Sequence, residues 1–297
     1  MKVLPTAQTV AERSATATLG PIDTHAHIFE RHVPMVPERR YTPAYDAPLN
    51  QYLQMLDEHG IAKGVLVQPS FLGNDNSYLV GGLRRAAGRL RGVVVVHPSA
   101  EIATLEALDA VGVVGIRLNL IGRDIPSFGT EPWINLFNNI ASLNWLIEVQ
   151  RPASDLELLL PALLQVGVPV VVDHFGLFDG DSGCWSIPLR ALEAGGKSRR
   201  LWLKLSAPYR LGGNGAGEEI GRRIYPNLRD AVGLDRLVWG SDWPHTQFEG
   251  TESYIQACNS VRKIVPNQAE RRQILHSNAL SLFRFANRTP LGESGET

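Results

Sequence analysis

The chain has 297 residues, of which 44% are hydrophobic and 20% charged, so it is long enough to bury a large core. With 29 basic and 30 acidic residues, its formal net charge of −1 gives no reason to expect nucleic acid or an anionic membrane as a partner. No apolar run approaches the ~20 residues that span a bilayer. Two cysteines make no disulfide framework, so we expect a cytoplasmic protein. We expect it to be a monomer or a small homo-oligomer.

Short apolar runs recur eight times along the chain and are separated by stretches with helical periodicity. Runs of this kind are typical of parallel strands that are buried on both faces. No GxGxxG motif follows any of them, which argues against a dinucleotide-binding sheet. Eight alternations therefore predict an α/β fold, a single-domain (β/α)8 TIM barrel. The predicted strands are Ile22–Ile28, Gly64–Gln68, Gly92–Val96, Val113–Leu118, Trp145–Gln150, Val168–His174, Leu201–Ser206 and Leu237–Asp242.

Helices are predicted between most of these strands, and several of them are closed by glycine. The segment Phe175–Gly196 is Gly-rich and is predicted to be a poorly helical linker, whereas Gln268–Phe285 is predicted to form a final amphipathic helix. The other predicted helices are Leu49–His59, Ser77–Ala87, Glu101–Val111, Trp133–Leu143, Ser154–Val166 and Glu218–Val232.

The two ends of the chain are predicted to lie outside the barrel. Residues 1–20 are rich in Ala, Thr and Ser and lack the continuous apolar stretch of a signal peptide. We expect them to form an N-terminal arm, either loose or packed at an oligomer interface. The barrel is expected to cover residues 21–288, and residues 289–297 are expected to form a C-terminal tail.

Strand periodicity predicts which side chains converge at the barrel mouth. Residues two apart on a strand point to the same face, so Asp23, His25 and His27 are expected to share one. His174 and Asp242 end two further predicted strands, and barrel enzymes place their active sites at these C-terminal ends. A single histidine there is usually structural, but this set predicts an active site.

The same periodicity predicts the direction of charged side chains. In the fourth strand Ile116 and Leu118 suit the helix layer, so Arg117 is expected to point into the mouth. Glu148 and Lys204 are both expected to point into the barrel, one layer below the mouth. An unpaired charge there would be costly, so we predict that they form a buried ion pair.

Seven segments carry a resemblance to a known family. The combination of HxH, DHxG and GSDWPH, in this order, resembles the amidohydrolase superfamily and its branch of 2-pyrone-4,6-dicarboxylate lactonases. The resemblance covers most of the chain and implies a barrel that hydrolyses a lactone in bacterial catabolism of aromatic compounds. The segments are IDTHAHIF (22–29), PERRYTP (37–43), VLVQPSFLGNDN (65–76), GIRLN (115–119), VVVDHFG (170–176), LKLSAPYRL (203–211) and WGSDWPH (239–245).

The resemblance also implies residue roles. Asp242 would be the general base that activates water, while His25, His27 and His174 would polarise the lactone carbonyl. Guanidinium groups bind carboxylates bidentately, which suits a small anionic lactone as the substrate. The implied substrate-binding residues are Arg117, Arg123, Arg210, Tyr41, Ser70 and His245; the last could instead orient Asp242.

Metal binding is left open by the resemblance. Many amidohydrolases bind a divalent ion, and here His25, His27 and Asp242 could hold zinc together with one water. However, Gln150 stands where metal-binding members often have histidine, and Arg117 would disfavour a divalent ion. We therefore expect catalysis that requires no metal or other cofactor.

Other activities on the same fold are kept as alternatives. A sulfomuconolactone hydrolase or an aldarolactone isomerase of the same branch would use most of the same residues. A metal-dependent decarboxylase would require a bound ion, and Gln150, in place of a histidine, argues against this alternative. A barrel that only binds anions would still bind its ligand after Asp242→Asn, whereas a hydrolase would lose turnover.

Overall fold

The computed structural model describes residues 20–180, 185–212 and 215–285. Within these residues, eight parallel strands follow one another around a barrel in chain order. All eight lie within predicted runs or within two residues of them, which confirms the (β/α)8 fold. The strands are β1 (Ile22–Ala26), β2 (Lys63–Val67), β3 (Leu90–Val94), β4 (Val113–Asn119), β5 (Leu146–Gln150), β6 (Val170–Val172), β7 (Leu201–Ser206) and β8 (Leu237–Gly240).

The barrel closes where the ends of β8 and β1 meet. The Asp242 amide donates to the His25 carbonyl oxygen at 2.8 Å, and the His27 amide donates to the Trp243 carbonyl oxygen at 2.7 Å. Gly240 permits this approach, because a Cβ at that position would lie 2.5 Å from the His25 Cβ. Closure of the barrel therefore places Asp242 beside the two strand-one histidines.

Helices form the outer layer. The predicted linker Phe175–Gly196 is wrong in its second half, where Ser186–Gly196 is helical, and the helix Tyr254–Ile264 was not predicted. The final predicted helix is interrupted by a π-helical turn at Gln273–Ser277. The helices are α1 (Leu49–Glu58), α2 (Ser77–Arg85), α3 (Ile102–Ala110), α4 (Glu131–Ser142), α5 (Leu156–Gln165), α6 (Ser186–Gly196), α7 (Gly217–Val232), α8 (Tyr254–Ile264), α9 (Gln268–Arg272) and α10 (Asn278–Leu282).

The barrel interior is filled with side chains from the strands and is closed at its N-terminal end. The interior cluster includes Val65, Val114, Val171 and Val238, whose branched side chains suit buried strands. Residues from the C-terminal segment pack against this cluster, and Phe283 among them is fully buried. The N-terminal end of the barrel interior is thus apolar and closed.

The ends of the chain lie largely beyond the described residues. The predicted arm, apart from Gly20, and the predicted tail 289–297 are outside them, as is Cys184. Among the described helices, none has both the length and the apolar character that crossing a bilayer requires.

Candidate active site

Three histidines surround one oxygen of Asp242 at the mouth of the barrel. The Nε2 atoms of His25, His27 and His174 lie 3.5, 3.6 and 4.0 Å from Asp242 Oδ1. All four side chains are buried, and the ring centroids of His27 and His174 lie 4.9 and 4.8 Å from that of His25. The predicted convergence of these residues is therefore present in the structure.

His27 has a defined hydrogen-bonding orientation. Its Nδ1 donates to the carbonyl oxygen of Val67 at 2.7 Å, because a carbonyl can only accept. Burial lowers the pKa of His27 to about 4, so the ring is neutral at neutral pH and carries its lone pair at Nε2. The nitrogen that faces Asp242 is thus an acceptor or a metal ligand.

The second oxygen of Asp242 is occupied by protein donors. Arg210 donates to Oδ2 from Nε at 3.0 Å and from Nη2 at 2.8 Å, and the Tyr209 hydroxyl donates to it at 2.7 Å. Burial alone would raise the pKa of Asp242, but Arg210 and the nearby histidines hold it well below its usual value. Asp242 is therefore ionised, and its Oδ1 is free to accept a proton.

His174 is placed by a turn rather than by strand phase. It was predicted to extend the sixth strand in phase with Val170 and Val172, but β6 ends at Val172 and His174 has a positive φ of 52°. Its Nδ1 lies 2.8 Å from Ser206 Oγ on β7. Burial holds the pKa of His174 well below its usual value.

Asp23 does not share the inward face with His25 and His27, so that prediction is wrong. Its carboxylate accepts hydrogen bonds from Tyr52 of α1 and Tyr254 of α8, both at 3.1 Å, and therefore faces the helix layer. The pairing of β1 with β2 shifts register between Asp23 and Ala26. This irregularity breaks the strict alternation on which the prediction rested.

A cavity of about 290 Å³ opens above Asp242 and contains Arg117 in its wall. The Arg117 guanidinium donates to the Gln68 carbonyl oxygen at 3.0 Å and to Gln150 Oε1 at 2.9 Å. These contacts point it into the mouth, as predicted, and Gln150 supports the arginine. His27, His174, Arg210, Tyr41 and Ser70 also line the cavity.

Two further arginines lie close to this cavity. Arg40 lines it and donates to Asn119 Oδ1 at 3.1 Å. Arg123 lines an adjoining depression that Arg40 and Ser70 share with the main cavity. Burial, followed by repulsion from Arg117, Arg123 and Arg210, lowers the pKa of Arg40, as expected for an excess of positive charge.

The remaining predicted residues, Tyr41 and His245, have protein partners. The Tyr41 hydroxyl donates to Glu249 at 2.6 Å, and burial together with Glu249 raises its pKa to about 12. His245 is buried with a pKa lowered to about 4, and its Nδ1 lies 3.4 Å from the Tyr209 hydroxyl. His245 therefore lies behind Asp242 and contacts its hydrogen-bonding partner.

A charged layer lies directly beneath the mouth. Lys204 Nζ donates to Glu148 Oε2 at 2.5 Å with both side chains fully buried, which confirms the predicted ion pair. Lys204 Nζ also lies 3.0 Å from His25 Nδ1 and 3.2 Å from Asp173 Oδ1. The layer thus contacts the side of His25 that faces away from Asp242.

Sequence reasoning missed three residues around this site. Asp173 contacts the charged layer and continues the inward phase of Val171, a signal that could have found it. Tyr209 adjoins Arg210, but nothing in the sequence indicates its contact with Asp242. Arg40 lies in the PERRYTP segment, where the sequence does not distinguish it from its neighbour Arg39.

The donor atoms around Asp242 Oδ1 are spaced suitably for a divalent ion. Zinc bonds of about 2.0–2.2 Å place tetrahedral ligands about 3.3–3.6 Å apart, close to the 3.5 and 3.6 Å from Oδ1 to His25 and His27. His174 is 4.0 Å from Oδ1, and the ligand atoms of His174, His25 and Asp242 all lie within 4.8 Å of one another. The residues therefore fit a metal, while Arg210 already balances the charge of Asp242.

Polar side chains at the C-terminal mouth of a closed (β/α)8 barrel, with an ionised aspartate among imidazoles, define a barrel hydrolase. The family model described as amidohydrolase matches residues 22–285. The chain belongs to the amidohydrolase family, which confirms the resemblance inferred from its motifs.

Individual relatives are similar over nearly the whole chain. A 2-pyrone-4,6-dicarboxylate hydrolase of Comamonas testosteroni is 34% identical, covering 89% of this chain and 90% of its own. A 4-sulfomuconolactone hydrolase of Rhizobium radiobacter is 29% identical, covering 94% and 96%. Among solved structures, a probable 2-pyrone-4,6-dicarboxylic acid hydrolase from Acinetobacter baumannii, with citric acid bound, is 37% identical, covers 89% and 99%, and superposes with a TM-score of 0.85.

Proposed function

We propose that this protein is a lactonase that opens a small anionic lactone of the 2-pyrone-4,6-dicarboxylate type with water. The arrangement of Asp242 Oδ1 opposite three imidazole Nε2 atoms, at 3.5–4.0 Å in the floor of the cavity, carries this proposal. A base beside groups that can bind water and a carbonyl oxygen is what ester hydrolysis requires. The lactone-hydrolase relatives support the same reaction class.

The positive charge around the cavity supports an anionic substrate. Among the described residues, neither Arg40 nor Arg123 has a carboxylate within ion-pair distance, and Arg117 donates hydrogen bonds to uncharged groups while Asp173 Oδ2 lies 3.8 Å from its Nη2. Three guanidiniums without a tight carboxylate partner favour a ligand with two acidic groups. We assign Arg117 to one of these groups and Arg40 with Arg123 to the other.

In the proposed reaction, Asp242 Oδ1 takes a proton from water while the water oxygen bonds to the lactone carbonyl carbon. The carbonyl π electrons move to its oxygen, and hydrogen-bond donors on His25 and His174 stabilise this oxyanion. When the carbonyl re-forms, the ring C–O bond breaks and the leaving oxygen receives the proton held by Asp242. One lactone and one water give one ring-opened hydroxy acid or its keto tautomer.

His27 is assigned a different part from the other two histidines. The sequence prediction gave all three the task of polarising the carbonyl, but the neutral His27 ring presents a lone pair at Nε2. A lone pair repels an oxyanion and accepts a hydrogen bond from water. We therefore assign His27 to positioning the attacking water, together with Asp242.

The proposed chemistry requires no metal, because Asp242 is ionised and hydrogen-bond donors can stabilise the oxyanion. If a divalent ion is bound, His25, His27, His174 and Asp242 would hold it, and it would supply Lewis-acid polarisation of the substrate. Whether turnover depends on such an ion is a separate question that chelation answers.

The test is hydrolysis of 2-pyrone-4,6-dicarboxylate by the purified protein, before and after treatment with a chelator. Asp242→Asn is expected to lower kcat by about 10²- to 10⁴-fold, the usual contribution of a general base. Asp230→Asn, which alters an exposed carboxylate on α7, is the matched control and should retain full activity. Full activity in Asp242→Asn would overturn the assigned base.

The alternatives give different products. Turnover of a sulfonated muconolactone but not of the dicarboxylate would change the assigned anion while keeping the chemistry. An isomerase would return a rearranged lactone with no ring-opened acid, and a decarboxylase would release carbon dioxide. Ligand binding that is unaffected by Asp242→Asn, with no turnover of any lactone, would indicate a barrel that only binds anions.

A further inference from the structure

The buried ammonium of Lys204 contacts the histidine that stands nearest to Asp242. Lys204 Nζ lies 3.0 Å from His25 Nδ1, and His25 Nε2 lies 3.5 Å from Asp242 Oδ1. Lys204 and His25 are both fully buried. The ring of His25 therefore connects the charged layer to the mouth of the barrel.

The direction of the hydrogen bond follows from the donor count. An ammonium has three N–H donors and no acceptor, so its contact with Nδ1 can only be a donation to the ring. A neutral imidazole that accepts at Nδ1 carries its proton at Nε2. We infer that Lys204 is a positioning residue, which holds the ring proton of His25 on Nε2 and so directs an N–H donor into the active-site cavity.

Two carboxylates compete with Lys204 for Nδ1 of His25. Glu148 Oε1 and Asp173 Oδ1 lie 3.2 and 3.4 Å from Nδ1 and could each accept a proton from it, but Lys204 Nζ lies nearer to Nδ1, at 3.0 Å, and also lies 3.2 Å from Asp173 Oδ1. A proton on Nδ1 would directly face the ammonium of Lys204, which lies only 3.0 Å away.

The side of His25 that faces the mouth favours the same proton position. With a proton on Nε2 the ring presents a donor to the Asp242 carboxylate, whereas a lone pair there would face a negative charge. His27 presents the opposite polarity, since its Nδ1 donates to Val67. The two strand-one histidines thus supply one donor and one acceptor, which suits one carbonyl oxygen and one water.

The inference concerns the same site as the proposed function, and only its kinetic test rests on that function. The variant pair Glu148→Gln and Glu148→Gln/Lys204→Met separates the hydrogen bond from the charge balance. The double variant removes one positive and one negative charge together, so it avoids leaving Glu148 as an unpaired buried carboxylate. Thermal unfolding of each variant establishes that it is folded.

The main readout is long-range ¹H–¹⁵N correlation NMR of the eight histidines, with His25 assigned by its loss in His25→Gln. The wild type and Glu148→Gln are expected to show an unprotonated Nδ1 and a protonated Nε2. In the double variant the proton is expected to move to Nδ1, toward Asp173. This measurement requires no substrate, so it stands even if the lactone is wrongly identified.

The kinetic readout compares the same two variants on the lactone. In the double variant kcat is expected to be about 10- to 100-fold lower than in Glu148→Gln, the range for groups that orient an active-site histidine through a hydrogen bond. Its KM should change less than about 3-fold, because the cavity arginines are untouched. A protonated Nδ1 in the wild type, or wild-type proton positions and an undiminished kcat in the double variant, would overturn the inference.

Discussion

Arg210 donates two hydrogen bonds to a single oxygen of Asp242, at 3.0 Å from Nε and 2.8 Å from Nη2. This leaves Oδ1 facing the histidines and Oδ2 bound to protein donors. The arginine also donates to the Thr246 carbonyl oxygen at 3.1 Å, which fixes its position. The two oxygens of Asp242 are therefore unequal, and Oδ1 is the one available to water.

Removal of Arg210 is expected to change the pH dependence of the reaction. Asp242 must be ionised to accept a proton, and Arg210 is the strongest influence that lowers its pKa against burial. Arg210→Gln removes the largest influence that opposes burial, so the pKa of Asp242 rises and activity is lost at a higher pH as the solution is acidified. The measurement is kcat/KM between about pH 4 and 8.

The pH at which kcat/KM falls on acidification, the acidic limb of the profile, separates a change in the pKa of Asp242 from a change in substrate binding. Arg210 also lines the cavity, and loss of a contact with substrate would lower kcat/KM equally at every pH. Only a change in the pKa of the base displaces the limb. Wild-type and variant profiles with the same limb would contradict the assigned influence of Arg210 on Asp242.

Much of this arrangement could be predicted from sequence, because parallel strands leave a strong apolar pattern. The pattern placed His27 and Asp242 at strand ends and paired Glu148 with Lys204. The pattern could not predict where the backbone departs from a regular strand. The shifted register of β1 turns Asp23 outward, and a positive φ turns His174 inward after β6 has ended.

Contacts between loops were also beyond the sequence. Tyr209 and Arg210 reach Asp242 from a 3-10 turn that follows β7, after Ala207 adopts a positive φ of 49°. Neither residue type at that position indicates a carboxylate partner, because the turn decides which way both side chains point. The base was therefore predictable, while the groups that hold it were not.

Tyr209→Phe is expected to reduce kcat about tenfold with little change in KM. The substitution removes one hydrogen bond to a charged group, at 2.7 Å from Asp242 Oδ2, and such bonds contribute about 1.5–3 kcal/mol. Tyr209 is absent from the residues that line the described cavity, so substrate binding should be unaffected. Steady-state kinetics measure both constants.

Tyr225→Phe is the matched control for this experiment. Its hydroxyl donates at 2.6 Å to Glu270 in the outer helices, and it should leave kcat unchanged. An increase in KM at constant kcat in Tyr209→Phe would instead assign the hydroxyl to substrate binding.

Arg117→Met is expected to raise KM for a dicarboxylate lactone about 30- to 100-fold, through loss of charge-assisted hydrogen bonds. Arg117→Lys should restore little of the lost affinity, because an ammonium lacks the planar fork of N–H donors that a guanidinium has. It therefore cannot donate to Gln68, Gln150 and a substrate carboxylate at the same time. The decisive comparison uses a neutral lactone of the same ring size, for which wild type and variant should have similar constants. Equal losses on both lactones would mean that Arg117 serves the structure of the mouth.

Arg222→Met is the control for this substitution. Arg222 lies on α7, pairs with Glu219 at 2.7 Å and is 58% exposed, so its loss should leave KM unchanged. Unfolding curves for both variants check that the substitution at Arg117 has not unfolded the barrel.

Asp23→Ala tests the structural position of the residue that strand periodicity misplaced. The carboxylate accepts from the Ser241 amide at 2.8 Å and the Ser241 hydroxyl at 2.6 Å, in addition to Tyr52 and Tyr254. Its loss leaves several buried donors without an acceptor, each costing about 1–3 kcal/mol. We expect the free energy of unfolding, measured by chemical denaturation, to fall by at least about 3 kcal/mol.

Single-donor variants calibrate this prediction. Tyr52→Phe removes one donor and leaves the carboxylate with its other partners, so it should cost about 1 kcal/mol. Tyr254→Phe should behave alike, since its hydroxyl lies at the same 3.1 Å from Asp23 Oδ2. If Asp23→Ala were no more costly than either tyrosine variant yet abolished turnover, Asp23 would belong to the chemistry after all. A large loss of stability would identify it as the acceptor that fastens β1 and the end of β8 to the helices around them.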